Sequence, residues 1–296
     1  VNPAELGYTA AWRVLRHLPR PVTAAGFRLG ADLAARRGGA GVARLRRNLQ
    51  RVLPGMAGPE LDRLLRAALR SYARYWEEAF RLPTMDPRAV HAGMAPHTTG
   101  VEAPIAAMRE GRGVVFALPH SGNWDVAGVY IIEEMRARGL RPTITTVAER
   151  LEPESVYRRF FEYRESLGFE IVAQDDGRVA HLALTRRLRA GGLVCLVCDR
   201  DLAGTGIDVP FFGDTVKLPA GPAALAAMTG AQLHVVGPYF LPNGRWGATI
   251  TPPIPVEGRA GVEKAVHELA RAFEELIAAH PADWHMLQEL TPGATR

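Results

Sequence analysis

Cysteine, lysine and long apolar runs are all scarce in this sequence. Two cysteines among 296 residues, Cys195 and Cys198, cannot build the bridged framework of a small secreted domain, so stability has to come from burial. That usage suits a reducing compartment. No stretch reaches the roughly 18 consecutive apolar residues that a membrane-spanning helix needs. The nearest, Leu218 to Gly244, lacks Asp, Glu, Lys and Arg, but Pro219, Pro222, Gly230, Pro238 and Pro242 interrupt it. It therefore reads as a short helix followed by a buried strand. The first residues show no charged, apolar and small-residue succession of a secretory leader. The sequence opens at Val1 rather than Met, which is read as a short leader missing from it. With 47% apolar and 23% charged residues, the composition excludes disordered and collagen-like chains.

Arginine takes the place of lysine, and its distribution is uneven. Only Lys217 and Lys264 stand among the 36 basic residues; the rest are Arg, whose planar fork suits phosphate and carboxylate contacts. Residues 1–81 hold 15 Arg against six acids, in a chain whose net charge is only +5. A GC-rich genome accounts for the Arg preference but not for this asymmetry. Over residues 4–82, Leu6, Trp12, Leu15 and Leu18, and later Leu61, Leu65, Leu69, Tyr72 and Trp76, recur at helical spacing with Arg on the other faces. Such basic amphipathic helices either lie on an anionic membrane surface, where each basic residue contributes about 1 kcal/mol, or pack on the protein's own core.

From about residue 100 the pattern changes to short apolar runs alternating with helical stretches, which predicts an α/β fold with a mainly parallel, mixed central sheet flanked by helices. The candidate strands are Gly113 to Leu118, Thr143 to Ala148, Phe169 to Val172, Leu193 to Cys198, Leu233 to Phe240 and Gly247 to Thr251. Helices are expected at about 101–110, 123–138, 153–167, 178–190, 220–229 and 259–279. Residues 1–296 are read as a single domain, with a basic helical N-terminal layer over 1–95 and the α/β part over 96–296.

Ligands of open α/β sheets gather beyond the carboxyl ends of the strands, so the residues just after each run are the informative ones. The first strand runs into His120-Ser121-Gly122-Asn123-Trp124-Asp125, the second ends at Glu149-Arg150, and the fourth ends at Asp199-Arg200-Asp201. His120 can accept a proton near neutral pH. Asp125, in the first turn of the following helix, is expected to fold back across Gly122 and orient its ring as a general base. Turn and helix-dipole roles are the simpler alternatives for both. No G-x-S-x-G elbow is present, and Ser121 adjoins His120 too closely in sequence to serve as its nucleophile. Cys195 and Cys198 sit inside an apolar strand, not at a helix start where reactive pairs occur, and no metal-ligand spacing exists. What remains is a His that activates a hydroxyl belonging to a substrate. On the helix after Pro153, Arg164 shares the apolar stripe of Val156, Phe160 and Leu167, so it points inward and needs a carboxylate, a phosphate or a route to water. Asp199 either pairs with it, the preferred reading, or hydrogen-bonds hydroxyls of the acceptor. Farther on, Phe211 and Phe212 either line an apolar slot or plug the core.

The His120-to-Asp125 block matches the H-x4-D/E motif of glycerolipid acyltransferases, and its H-x-G-N-W-[DE] form resembles the lauroyl/myristoyl branch that acylates lipid A precursors. Arg164 falls where that branch carries an Arg, and Asp199-Arg200-Asp201 resembles its D-x-D strand end. The run Val209 to Gly213 resembles its V-P-F-F loop, and His280-Pro281-Ala282-Asp283-Trp284 its closing H-P-x-x-W-x-W block. Within the branch, this Arg-, Ala- and Gly-rich chain is most similar to the actinobacterial phosphatidylinositol mannoside acyltransferases. Two blocks depart from the lipid A enzymes: Ala148-Glu149-Arg150 replaces Y-R-P, and His285-Met286 stands where a second Trp is usual.

The resemblance implies a membrane-associated enzyme at the cytoplasmic face of the plasma membrane. It would pass a fatty acyl group, typically palmitoyl, from acyl-CoA to a mannose hydroxyl of a phosphatidylinositol mannoside. His120 and Asp125 would be catalytic. Asn123, Glu149, Arg150, Arg164, Asp199, Asp201, Phe211 and Phe212 would bind substrate, the two phenylalanines at the acyl slot. The expected partners are acyl-CoA as co-substrate, the glycolipid and the membrane surface, with no other cofactor, no metal and no nucleic acid. Rival readings are another glycolipid or a lysophospholipid as acceptor, a hydrolase, and a catalytically silent lipid-binding module.

Overall fold

The computed structural model describes residues 18–148, 161–162, 164–173, 177–201 and 204–290. A seven-stranded sheet forms its centre, in the order β1 (Thr98–Thr99), β9 (Trp246–Ile250), β8 (Gln232–Phe240), β2 (Val114–Leu118), β5 (Leu193–Val197), β3 (Ile144–Ala148) and β4 (Phe169–Ala173). Every neighbouring pair is parallel except β8 with β9. This is the expected α/β class.

Strand β2 lies at the middle, and the alternation of its side chains divides the core. Val115 and Ala117 face a cluster with Leu184 and Leu188 of α7 (Gly177–Arg189), Leu225 of α8 (Gly221–Thr229) and Phe273 of α9 (Val262–Ala279). Val114, Phe116 and Leu118 face the other side, where Met94 of α4 (Pro87–Met94), Ile105 of α5 (Glu102–Arg109) and Tyr130 of α6 (Trp124–Ala137) gather. A strand covered on both faces must be apolar throughout, and all five residues of β2 are buried. Each of its Val, Phe and Leu side chains contributes about 1.5–3 kcal/mol by leaving water.

The N-terminal layer comprises α1 (Arg20–Arg37), α2 (Ala40–Val52) and α3 (Gly58–Arg81). Leu61, Leu65 and Leu69 form one stripe of α3 and close a third cluster with Leu45 and Leu49 of α2. The last turns of α3 then reach the sheet, where Trp76 packs against the cluster on the Phe116 side.

The segment after Asp201 forms an antiparallel hairpin, β6 (Ile207–Phe211) with β7 (Asp214–Leu218), instead of a loop. Its two-residue turn places Phe212 at φ 49° and Gly213 at φ 82°, the pair of positive angles that a tight hairpin turn demands. A bulky residue rarely adopts that angle. Phe212 is held there by its N–H, which donates to the Glu274 carboxylate, and by ring contacts with Phe211 at 4.7 Å and Trp284 at 5.9 Å. The short helix α4 falls within the helical layer expected over 1–95, although no apolar stripe marked it; it starts from Asp86, whose side chain caps the Arg88 N–H. The expected helix over 153–167 lies largely outside the described residues, although Phe161, Glu162 and Arg164 to Ser166 are helical.

Candidate active site

Beyond Leu118 the chain turns sharply before entering α6. Gly122 sits at φ 55°, and a Cβ there would stand 2.6 Å from the Pro238 carbonyl carbon, so only glycine fits. Asn123 caps α6 by accepting the Val126 N–H at 3.0 Å, and its amide donates to Glu78 at 2.9 Å. The closing segment straps this turn from outside: the His285 N–H donates to the His120 carbonyl at 2.7 Å and the Gly122 N–H to the Asp283 carbonyl at 2.9 Å. Ser121 and Trp284 form an antiparallel bridge between the two segments.

Strand β5 runs alongside β2, and the Cys198 N–H bonds to the Leu118 carbonyl, so the next residue arrives next to the turn. That residue is Asp199, with 0% exposure. Its Oδ1 lies 2.5 Å from His120 Nδ1, while Oδ2 accepts the His120 backbone N–H at 2.9 Å and the Trp284 indole N–H at 2.8 Å. Burial alone would raise the pKa of this carboxyl. The His120 charge and the three hydrogen bonds outweigh it, so the group titrates below its ordinary range. An ionised Asp199 makes Nδ1 the protonated nitrogen of His120. Nε2 then carries a lone pair, has no hydrogen-bond partner among the described residues, and belongs to a ring that borders a cavity.

The cavity is about 360 Å³, within the size range of small-molecule sites. Phe116, Ile144, Ile171 and Ile250 supply apolar wall from the sheet, and Tyr72, Tyr75 and Trp76 supply it from α3. Trp124, the first residue of α6, lies edge-on to His120 with centroids 5.8 Å apart, and its indole stacks on Tyr75 at 4.1 Å.

The expected pairings are exchanged. Asp125, 1% exposed, meets Arg164 and not His120: Nε and Nη2 of Arg164 approach at 2.9 and 3.4 Å, and the Tyr75 hydroxyl donates at 3.3 Å. Burial, then the Asp125 charge, pushes the Tyr75 pKa well up. The cause of the exchange is that α6 begins with Trp124, whose ring stands against the imidazole, while the adjacent strand brings Asp199 directly to Nδ1. Arg164 does point inward and borders the cavity as its stripe requires, but toward the other carboxylate.

The remaining candidates fall in three groups. Glu149 and Arg150 lie outside the described residues. Asn123 and Asp201 serve the fold: Asn123 is the cap described above, and Oδ2 of Asp201 accepts the Gly206 N–H at 2.6 Å ahead of the hairpin. Neither borders the cavity, and Asp199 stays behind the imidazole. Phe211, 0% exposed, and Phe212 pack in the core behind Trp284, on the sheet face opposite the cavity wall, so they plug the core and form no slot there.

Sequence reasoning missed a second buried network. Ser71 of α3 donates to Asp283 at 2.6 Å and lies 2.9 Å from Nε2 of His285, a cavity-lining ring whose pKa is lowered to about 3 by burial and by the His120 charge. Burial likewise raises Asp283. It also missed the α3 aromatics as cavity wall, although Tyr72, Tyr75 and Trp76 at i, i+3 and i+4 were a legible signal. Cys195 borders the cavity; burial raises its pKa and that of Cys198, leaving both as thiols.

An imidazole with its tautomer fixed from behind and its open nitrogen beside an apolar cavity can draw a proton from a hydroxyl next to a fatty chain. That is the chemistry of acyl transfer. Residues 6–291 match the family of bacterial lipid A biosynthesis acyltransferases, and the chain belongs to it. It is 45% identical over 285 residues to a phosphatidylinositol mannoside acyltransferase of Mycolicibacterium smegmatis, covering 96% of this chain and 90% of that one. The Mycobacterium tuberculosis H37Rv protein of the same name is 45% identical over 284 residues, with 95% and 86% covered.

Proposed function

We propose that the enzyme transfers a fatty acyl group, palmitoyl, from acyl-CoA to a mannose hydroxyl of a phosphatidylinositol mannoside. The observation that carries this reading is the His120 ring, backed at Nδ1 by Asp199 and bordering an apolar cavity with its other edge. The names of the curated relatives support the acceptor. Nε2 takes the proton of the sugar hydroxyl as its oxygen attacks the thioester carbonyl. The tetrahedral intermediate collapses, the carbon–sulfur bond breaks, and the imidazolium returns its proton to the departing thiolate. Asp199 stabilises the imidazolium in between. General-base help of this kind contributes about 10²–10⁴-fold; positioning along the cavity supplies the rest. No acyl-enzyme is needed, and the hydroxyl of Ser121, adjoining His120 in sequence, is buried without a hydrogen-bond partner among the described residues. Asp125 keeps Arg164 in place at the cavity wall.

The whole chain works as one domain in this reading, since α3 of the N-terminal layer contributes cavity wall. That layer also meets the lipid surface. Val22, Leu29 and Leu33 on α1 are 57%, 70% and 42% exposed, on a helix that also carries Arg28, Arg36 and Arg37. No helix among the described residues is long and apolar enough to cross a membrane. In this reading the protein attaches peripherally, at the cytoplasmic face.

The test is to incubate the purified protein with radiolabelled palmitoyl-CoA and a panel of lipid acceptors, comparing wild type with His120→Ala and Asp199→Asn. Transfer to mannosylated inositol lipid that collapses in both variants is expected. Equal turnover by the variants, or release of free fatty acid without transfer, overturns the reading.

A further inference from the structure

Two arginines border the cavity among the described residues, and they are employed differently. Arg164 spends its fork on Asp125. Arg200 has no hydrogen bond or ion pair to a described residue; the residue is half-buried, and its Nε is sealed from water without an acceptor. Both neighbours in sequence are anchored. Asp199 is held by His120 and Trp284, and Asp201 by the Gly206 N–H, so the backbone that carries Arg200 is fixed on either side. It leaves the sheet at the end of β5, next to the end of β2 that bears His120, and the two side chains border the same cavity.

A cation in such a place is disfavoured unless an anion meets it. Among the described residues, the acids of the site do not serve. Asp199 already accepts three hydrogen bonds, and Asp125 is taken by Arg164 and Tyr75. The counter-charge is thus left to a ligand entering the cavity, and a guanidinium fork matches two oxygens of a phosphate group.

We infer that Arg200 binds a phosphate ester of a substrate, an assignment that rests on the acyl-transfer reading and adds to it the group by which a substrate is anchored beside His120. The phosphate can belong to the nucleotide carrier of the donor thioester or to the phosphodiester of the lipid acceptor. The recognition chemistry is the same for both.

The experiment is calorimetric titration of the full chain, as wild type, Arg200→Gln, Arg200→Lys and, as a control, Arg109→Gln, an exposed arginine of α5 outside the cavity wall. One arm uses CoA without an acyl group, and the other uses phosphatidylcholine vesicles containing phosphatidylinositol. Losing a charge-assisted hydrogen bond weakens binding by about 10-fold or more, and Arg200→Gln is expected to show that in at least one arm while Arg109→Gln binds as wild type does. Weakening toward CoA assigns the donor phosphate; weakening toward the vesicles assigns the acceptor phosphodiester. Unchanged binding in both arms by a folded Arg200→Gln overturns the inference. Should that variant not fold, Arg200→Lys decides, since its point charge lacks the fork: weakening by about three-fold or more supports the inference and none overturns it. Acyl transfer measured alongside keeps the two claims apart. Active wild type with full binding by Arg200→Gln removes Arg200 alone, whereas inert wild type with CoA binding lost in Arg200→Gln leaves the phosphate site standing without the transferase reading.

Discussion

The turn after β5 and the first turn of α6 each deliver one buried carboxylate to the same region, and they use it in opposite ways. Asp199 accepts from a ring that also faces the cavity, so its charge can follow a proton moving through that ring. Asp125 accepts from an arginine whose charge never changes, so its role is to hold a wall. Burial is nearly identical, at 0% and 1%. What separates a carboxylate that takes part in chemistry from one that supports it is therefore the partner.

The strongest way to break this contrast is to neutralise each acid without changing its shape. Asp199→Asn should lower kcat by about 10³–10⁴-fold, because an amide no longer fixes the tautomer, with the thermal midpoint changing little; steady-state rates against a palmitoyl donor measure it. Comparable loss in Asp125→Asn with intact folding would dissolve the distinction. Instead, Asp125→Asn should act on stability. It leaves Arg164 without its carboxylate at a cost of about 2–3 kcal/mol, somewhat below a fully sealed pair because the Arg164 side chain keeps 19% exposure. Urea denaturation should show that loss, and Asp125→Asn/Arg164→Met should recover most of it.

The two imidazoles of the site extend the comparison to pH. His285 has its folded pKa lowered to about 3, against about 6.5 unfolded. Between those values the unfolded chain binds the extra proton, so stability is complete above about pH 6.5 and declines as pH falls, by up to about 1.4 kcal/mol per unit. Denaturant midpoints between pH 5 and 7 should fall less steeply in His285→Gln than in wild type, a difference of about 2 kcal/mol at pH 5. Equal slopes would mean that His285 is not held neutral. The smallest effect concerns the helix start alone: Asn123→Ala removes the cap and one donor to Glu78 and should cost about 1–2 kcal/mol in thermal unfolding, with kcat reduced far less than in Asp199→Asn.

Much of this fold was legible because apolar runs and helical stripes report burial directly. All six expected strands occur within a residue or two of their forecast bounds. The hairpin was not legible, because its turn uses Phe212 at a left-handed angle and shows no Asn-Gly or Asp-Gly signal. Nor was β1, at two residues too short to carry a pattern. At the site, His120 followed from its place after a strand and the inward Arg164 from its stripe, but the partners did not. Spacing along one segment favoured Asp125 for His120, whereas the actual neighbour comes 79 positions later through the pairing of β2 with β5. Phe211 and Phe212 show the same limit, since apolar residues of a core and of a slot have the same composition.

The strap from Asp283 to His285 has a consequence for how the protein is made. The imidazole, the carboxylate behind it and the indole that steadies that carboxylate leave the ribosome far apart in time, with Trp284 85 positions after Asp199. A nascent chain thus stays incomplete at its centre until Trp284 has been translated. Competence comes with that strap, after the surrounding sheet has had the chance to assemble.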